Sequence, residues 1–174
     1  QIAEGAYIMK TRKDRIPSDT PVVIHELVDN WMHEKFGKKF RSQSIFCTPS
    51  ALTARAYGEA FVILPVGNFS YLWSNEVNDL FREFNKRTIE INGAERIINR
   101  HGNYTDHLGN IPEEVKTQIE KVLSELNYKS DNLTSNKKQE VMVACDSFYA
   151  FDKKLYESFI IEELRTIEEG ENKE

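Results

Sequence analysis

The sequence predicts an α+β fold, a single domain with small mixed or antiparallel sheets and surrounding helices. Short apolar runs typical of strands alternate with segments of helical periodicity, and the connections between them are irregular and of unequal length. The chain has 174 residues, of which 40% are hydrophobic, and this is enough for one substantial core. No internal repeat and no linker interrupts the pattern. Residues 1–174 are therefore expected to form one domain.

Prolines and glycines bound the elements predicted in the first part of the chain. Thr20 and Thr48 each precede a proline, which is the pattern of an N-cap residue followed by a first-turn proline. Gly37 follows a run of helical periodicity and is a typical C-terminal stop. The predicted elements are a strand over 6–11, a helix over 21–36, a strand over 40–47, a short helix over 49–57 and a strand over 61–64.

Two further helices are predicted before a pair of strands and a last helix. Ser74 and Asp152 are the candidate N-caps in this part of the chain. The predicted elements are a helix over 75–86, an irregular segment over 92–112, a helix over 112–126, a polar loop over 129–138, strands over 141–144 and 148–151 joined by a tight turn at 145–147, and a helix over 152–167 with a solvated tail.

Composition excludes several classes of function. The net charge of −5 argues against a general nucleic-acid binder. Cys47 and Cys145 lie in apolar runs and are expected to be buried, reduced thiols, and no Cys/His spacing typical of zinc occurs. We expect no metal. The sequence has no signal peptide and no apolar run long enough for a bilayer, so we expect a cytoplasmic protein without a membrane partner.

The most informative stretch is RSQSIFCT at 41–48. Arg41 and the alternating Ser42 and Ser44 lead into an apolar run, and on a strand both serines would face the same side. A hydroxyl beside a buried run needs a partner, although serines on strands are often ordinary polar-face residues. Tyr57 follows about two helical turns later and is either a core aromatic or a stacking surface. Together these groups suit a flat, polar, phosphate-bearing ligand.

Two other charged positions have both an ordinary and a functional interpretation. Arg12 and Arg15 lie in a charged loop that is either solvated or an anion clamp, since guanidinium groups match phosphate oxygens. Glu140 opens an apolar run and either keeps a strand edge soluble or places a carboxylate at the rim of a cleft.

Taken in chain order, these segments resemble the ADP-ribosyltransferase-like superfamily, which includes bacterial and phage mono-ADP-ribosyltransferases. The similar stretches lie within residues 6–151 and are IFCTPS at 45–50 followed by ARAY at 54–57, and QEVMV at 139–143 followed by FYAF at 148–151. Arg12 or Arg15 takes the position of the family's first motif. The second motif reads SQS at 42–44 instead of Ser-Thr-Ser, and Lys138 stands where arginine-modifying members carry Glu or Gln.

The resemblance implies an enzyme that cleaves the nicotinamide–ribose bond of NAD and transfers ADP-ribose to a macromolecular acceptor, a protein or a nucleic acid. NAD is the co-substrate in an NAD cleft, and a bacterial or phage effector or toxin is the expected class. Glu140 and Arg15 are the implied catalytic residues. The implied NAD-binding residues are Arg12, Arg41, Ser42, Ser44, Phe46, Thr48 and Tyr57. The alternatives are a non-catalytic interaction domain and an RNA 2′-phosphotransferase-like enzyme.

Overall fold

The computed structural model describes residues 5–16, 22–86, 89–91, 94–96, 113–134 and 139–158. The elements in these ranges are β1 (Ala6–Lys10), α1 (Val22–Phe36), β2 (Ile45–Cys47), α2 (Ala51–Arg55), β3 (Phe61–Val66), β4 (Ser70–Trp73), α3 (Leu80–Asn85), β5 (Ile89–Ile91), β6 (Ala94–Arg96), α4 (Glu113–Glu125), β7 (Val141–Ala144), β8 (Ser147–Asp152) and α5 (153–158). Helices and small antiparallel sheets confirm the predicted α+β class.

The chain divides into two compact units. The first takes its described residues from Gln1–Thr11, Ala51–Phe69 and Cys145–Glu174, and the second from Arg12–Ser50 and Ser70–Ala144. The first is called the β8 unit below and the second the β7 unit. That the two form one domain stays a prediction.

The β8 unit contains a three-stranded antiparallel sheet in the order β1-β8-β3. Ile8, Tyr149 and Leu64 lie opposite one another across its strands. Strand β3 continues through Pro65 to Val66, although the sequence predicted its end at residue 64. Proline is tolerated there because β3 is an edge strand, where a missing N–H donor breaks no ladder.

The β7 unit contains the main hydrophobic core. Its sheet has the order β2-β7-β4, with Phe46, Met142 and Leu72 opposite one another. Helices α1 and α4 contribute the apolar faces that the 3.6-residue period predicted. The buried residues of these two helices in the core are Ile24, Val28, Trp31, Met32, Val115, Ile119, Val122 and Leu123. A two-stranded sheet of β5 and β6 also belongs to this unit, so residues 94–96 form a strand where an irregular segment was expected.

One predicted strand is wrong in extent, and one strand was missed. Residues 40–44 form a turn, and only Ile45–Cys47 is a strand, because the backbone of 41 and 42 bonds to a side chain of α1 instead of a neighbouring strand. Strands β7 and β8 lie close to their predicted bounds and belong to different sheets: β7 pairs with β2 and β4, and β8 pairs with β1 and β3. Strand β4 was not predicted.

Two helix starts also differ from prediction. Helix α3 begins at Leu80 with Asp79 as its N-cap, and the Asp79 carboxylate accepts the N–H of Arg82. The Ser74 hydroxyl donates to the carbonyl of Leu126 and accepts the N–H of Glu76 at 3.0 Å, so it holds a local turn ahead of α3 and does not cap the helix. Helix α2 spans Ala51–Arg55, shorter than the predicted 49–57.

Several predictions lie outside the described residues. These are the cap at Thr20 with Pro21, most of the segment over 92–112, the end of the polar loop over 135–138, and the last helix beyond residue 158. Within the described ranges, no helix is long and apolar enough to cross a membrane.

Gly37 ends α1 in the left-handed region, with φ of 76° and an open space around its α-carbon. We expect Gly37→Ala to lower the free energy of unfolding by about 1 kcal/mol, because a β-carbon is strained in this conformation. Gly37→Asn should lose less, since Asn tolerates the left-handed region. Urea denaturation checks both variants, and equal stability of Gly37→Ala and wild type would contradict the assignment.

Candidate functional site

A buried aspartate of α1 fixes the turn that carries Arg41. Asp29 Oδ1 accepts the backbone N–H of Arg41 at 2.8 Å and that of Ser42 at 3.3 Å. The Ser42 hydroxyl donates to Asp29 Oδ2. Backbone groups of a turn have no ladder partner, so a carboxylate that accepts them holds the turn in one conformation. Arg41 itself is buried and leads directly toward β2.

Glu140 comes directly before β7, the central strand of this sheet. Its backbone N–H donates to the carbonyl of Val77 at 3.0 Å. Its carboxylate accepts from Arg41 Nη1, with Nη1 and Oε1 3.4 Å apart, and the side chains of Arg41 and Glu140 are 6% and 15% exposed. This ion pair joins residues that are 99 positions apart in the chain.

The Phe46 ring contacts both arginines of the site. The guanidinium carbon of Arg15 lies 3.8 Å from the ring centroid, and that of Arg41 lies 5.0 Å from it. Phe46 is partly buried and packs against the hydrophobic core of the β7 unit. Two cations on one aromatic surface are each attracted by the ring, and the packed ring fixes where they lie.

Arg15 is tied to the same turn through its backbone. Its N–H donates to the carbonyl of Ser42 at 3.2 Å. Arg15, Arg41, Phe46 and Glu140 therefore form one group of side chains inside the β7 unit, which we call the Arg-Phe-Glu cluster.

Burial and charge shift the pKa values of this cluster in opposite directions. Burial raises the pKa of Glu140 from 4.5 to about 7, and Asp79 adds to this shift while Arg41 and Arg15 oppose it. Burial, and then the charge of Arg41, lower the pKa of Arg15. Arg15 still carries its charge at neutral pH, so two cations face one carboxylate that is half ionised near pH 7. The cluster is electropositive.

Buried donors without partners point to an anionic ligand. Arg15 Nη1 and Arg41 Nε are buried atoms with no hydrogen-bond partner. Leaving a charged donor buried and unpaired is costly, and native structures seldom do so without a reason. A phosphate, carboxylate or carboxamide oxygen would satisfy these donors.

The structure brings together four of the residues singled out from the sequence, namely those of the Arg-Phe-Glu cluster. The side chain of Arg12 is exposed instead, and its Nε lies 3.3 Å from Asp14 Oδ1. Of the two arginines between which the sequence left a choice, Arg15 is the one in the cluster, and which of them fills the first motif stays a prediction.

The other candidate residues have local partners or lie elsewhere. Ser42 and Ser44 are in the turn and not on a strand, and their hydroxyls donate to Asp29 and to the carbonyl of Phe40. Thr48 Oγ1 accepts the N–H of Ser50 at 3.3 Å, which forms a local turn. Tyr57 belongs to the β8 unit and is 80% exposed, so it is not a core aromatic.

Sequence reasoning missed Asp29 and His25, one helical turn apart on the buried face of α1. Both are 4% exposed. His25 Nδ1 has no hydrogen-bond partner, and burial lowers the pKa of His25 while Asp29 opposes the shift. A signal was present, because both positions fall within the apolar stripe that Ile24, Val28 and Met32 define. A polar residue inside such a stripe must have a partner.

No family model matches the chain, and neither a curated protein nor a solved structure matches it. Among the described residues, no group of three or more His, Cys, Asp or Glu side chains is placed to hold a metal ion.

Proposed function

We propose that this protein is an NAD-dependent mono-ADP-ribosyltransferase that cleaves the nicotinamide–ribose bond and transfers ADP-ribose to a protein or nucleic acid. The observation that carries the proposal is the Arg-Phe-Glu cluster. Its members come from the loop before α1, the turn before β2, strand β2 and the start of β7. These are the positions that the resemblance to ADP-ribosyltransferases assigned to NAD binding and catalysis.

The arginines supply what a dinucleotide needs. NAD carries a pyrophosphate, and the unpartnered Arg15 Nη1 and Arg41 Nε would donate to its oxygens. Arg41 also keeps Glu140 in place through their ion pair. The Phe46 ring would line the site beside the bound molecule.

Glu140 supplies the charge that the reaction needs. Departure of nicotinamide takes the electron pair of the glycosidic bond and leaves positive charge on the ribose, as in glycoside hydrolysis. An ionised Glu140 would accept a ribose hydroxyl proton in a hydrogen bond and stabilise that charge. The acceptor nucleophile then forms the new bond to the ribose carbon and loses its proton to solvent or to Glu140.

A matched pair of arginine variants tests the proposal. Wild type should bind NAD and release nicotinamide. Arg15→Met should lose NAD affinity by about tenfold or more, and Arg12→Met should keep its affinity, since of these two arginines Arg15 is the one on the Phe46 ring. Calorimetric titration of NAD and chromatography of nicotinamide measure the two steps. Equal affinity of the two variants, or absence of both binding and release in folded wild type, would contradict the proposal.

Tyr57 tests whether an aromatic outside the cluster contributes. Because Tyr57 is 80% exposed, Tyr57→Ala should change the free energy of unfolding by less than about 0.5 kcal/mol. If its ring stacks on nicotinamide, Tyr57→Ala should weaken NAD binding by about 0.5–1.5 kcal/mol, and Tyr57→Phe should not. Thermal unfolding and NAD titration of both variants check this. Unchanged affinity of Tyr57→Ala would remove Tyr57 from the site.

A further inference from the structure

Asp29 is a buried residue of α1 whose carboxylate bonds to the turn that carries Arg41. It is 4% exposed, and its two carboxylate oxygens accept the N–H of Arg41, the N–H of Ser42 and the hydroxyl of Ser42. A buried carboxylate is stable only when its oxygens are paired in this way. Asp29 touches neither Phe46 nor Glu140 through any of these bonds, so its influence on them is indirect.

Ser42 connects Asp29 to the backbone of Arg15. Its carbonyl accepts the backbone N–H of Arg15, while its own N–H and hydroxyl are held by Asp29. One carboxylate thus fixes Arg41 directly and Arg15 through a single intervening residue. Both guanidinium groups reach the Phe46 ring from backbones anchored at this point.

We propose that Asp29 is the positioning residue of the site: by holding the backbone of Arg41 and Ser42, it places both arginines against Phe46 and Arg41 against Glu140. The role in catalysis rests on the proposed function, but the placement of the arginines does not. Nothing in the geometry requires Asp29 to touch a ligand.

The ionisation of Glu140 reports the position of Arg41. The charged groups with the largest effects on Glu140 are Arg41, Asp79 and Arg15. If Arg41 moves away, Glu140 loses an opposite charge and its pKa rises. Simple removal of the negative charge of Asp29 would shift the pKa of Glu140 downward or leave it unchanged. The two causes therefore differ in sign.

The test is a carbon-13 NMR titration of the Glu140 carboxyl in the full chain, in wild type and in Asp29→Leu. Leu is branched at the same carbon but has no acceptor, whereas Asn would keep an oxygen in the place of Oδ1, which accepts both backbone N–H groups. We expect the pKa of Glu140 to rise by about one unit in Asp29→Leu. The matched control is Glu26→Gln on the exposed side of the same helix, which should leave the pKa of Glu140 unchanged.

A folded Asp29→Leu protein with an unchanged or lowered Glu140 pKa would overturn the proposal. If Asp29→Leu does not fold, Asp29→Glu replaces it, since this change keeps the charge but moves the carboxylate relative to the N–H groups of Arg41 and Ser42. Asp29→Glu should give a smaller rise of the same sign, and no rise would overturn the proposal. The titration of Glu140 contains no NAD and is independent of NAD binding. A protein that shows the expected pKa shift but binds no NAD would therefore refute the proposed function and leave the positioning role of Asp29 intact.

Discussion

Replacement of Glu140 by Gln is expected to slow nicotinamide release from NAD by about 100-fold or more, while the protein stays folded. Gln keeps the size of the side chain and an oxygen that can accept from Arg41, but it cannot carry the negative charge. The measurement is the rate of nicotinamide release at pH 8, where Glu140 of the wild type is largely ionised because its pKa is about 7.

Glu83→Gln is the matched control for this variant. Glu83 is also a buried carboxylate of the β7 unit, but it pairs with Lys86, with Nζ and Oε1 2.6 Å apart, and is not part of the Arg-Phe-Glu cluster. Glu83→Gln should keep the rate of nicotinamide release within a few-fold of wild type. A folded Glu140→Gln enzyme that releases nicotinamide at the wild-type rate would exclude Glu140 from catalysis.

Glu140 should also make the wild-type protein less stable as the pH rises. Its pKa is 4.5 ordinarily and about 7 in the folded state, so between these values the folded chain binds more protons than the unfolded chain. The free energy of unfolding then falls with rising pH, by about 3 kcal/mol in total from this group. Below pH 4.5 both states are protonated, and above about pH 7 the loss is complete.

Comparison with Glu140→Gln isolates this contribution. His25 acts in the opposite direction, because a lowered pKa in the folded state costs stability as the pH falls below 6.5. His25 is present in both proteins, so its effect cancels in the difference. Urea denaturation at pH 4.5 and pH 8 should show Glu140→Gln gaining about 3 kcal/mol on the wild type. Parallel stability profiles would mean that the pKa of Glu140 is not raised in the folded protein.

Local patterns predicted the parts of the fold that local forces determine. Helices α1 and α4 were placed correctly because each has an apolar stripe at the helical period, and Gly37 ended α1 as expected. Strand β4 has only four residues, too few for a period to show. The partners of β7 and β8 depend on contacts between residues far apart in sequence, so local patterns could not assign these two strands to separate sheets.

Of the nine residues singled out from the sequence, four lie together in the Arg-Phe-Glu cluster, and their arrangement was not predictable. Arg41 was singled out from residue type and order, and the roles of Phe46 and Glu140 were implied by the resemblance. The connection of Ser42 to Asp29 was not predicted, because the carboxylate that holds Ser42 lies on a helix 13 residues earlier. Likewise, Ser74 was expected to cap a helix from its local sequence, but α3 begins at Leu80 after the cap Asp79, and the Ser74 hydroxyl bonds to the distant carbonyl of Leu126.

The central claim is that NAD binds at the Arg-Phe-Glu cluster, and nitrogen-15 NMR of the arginine side chains tests it most directly. NAD is titrated into the 174-residue chain with labelled arginine Nε atoms. The account predicts that the Nε signals of Arg41 and Arg15 shift with a common affinity, because each carries a buried donor without a partner, while that of the exposed Arg82 does not. Shifts confined to exposed arginines, or no shift at saturating NAD, would contradict it.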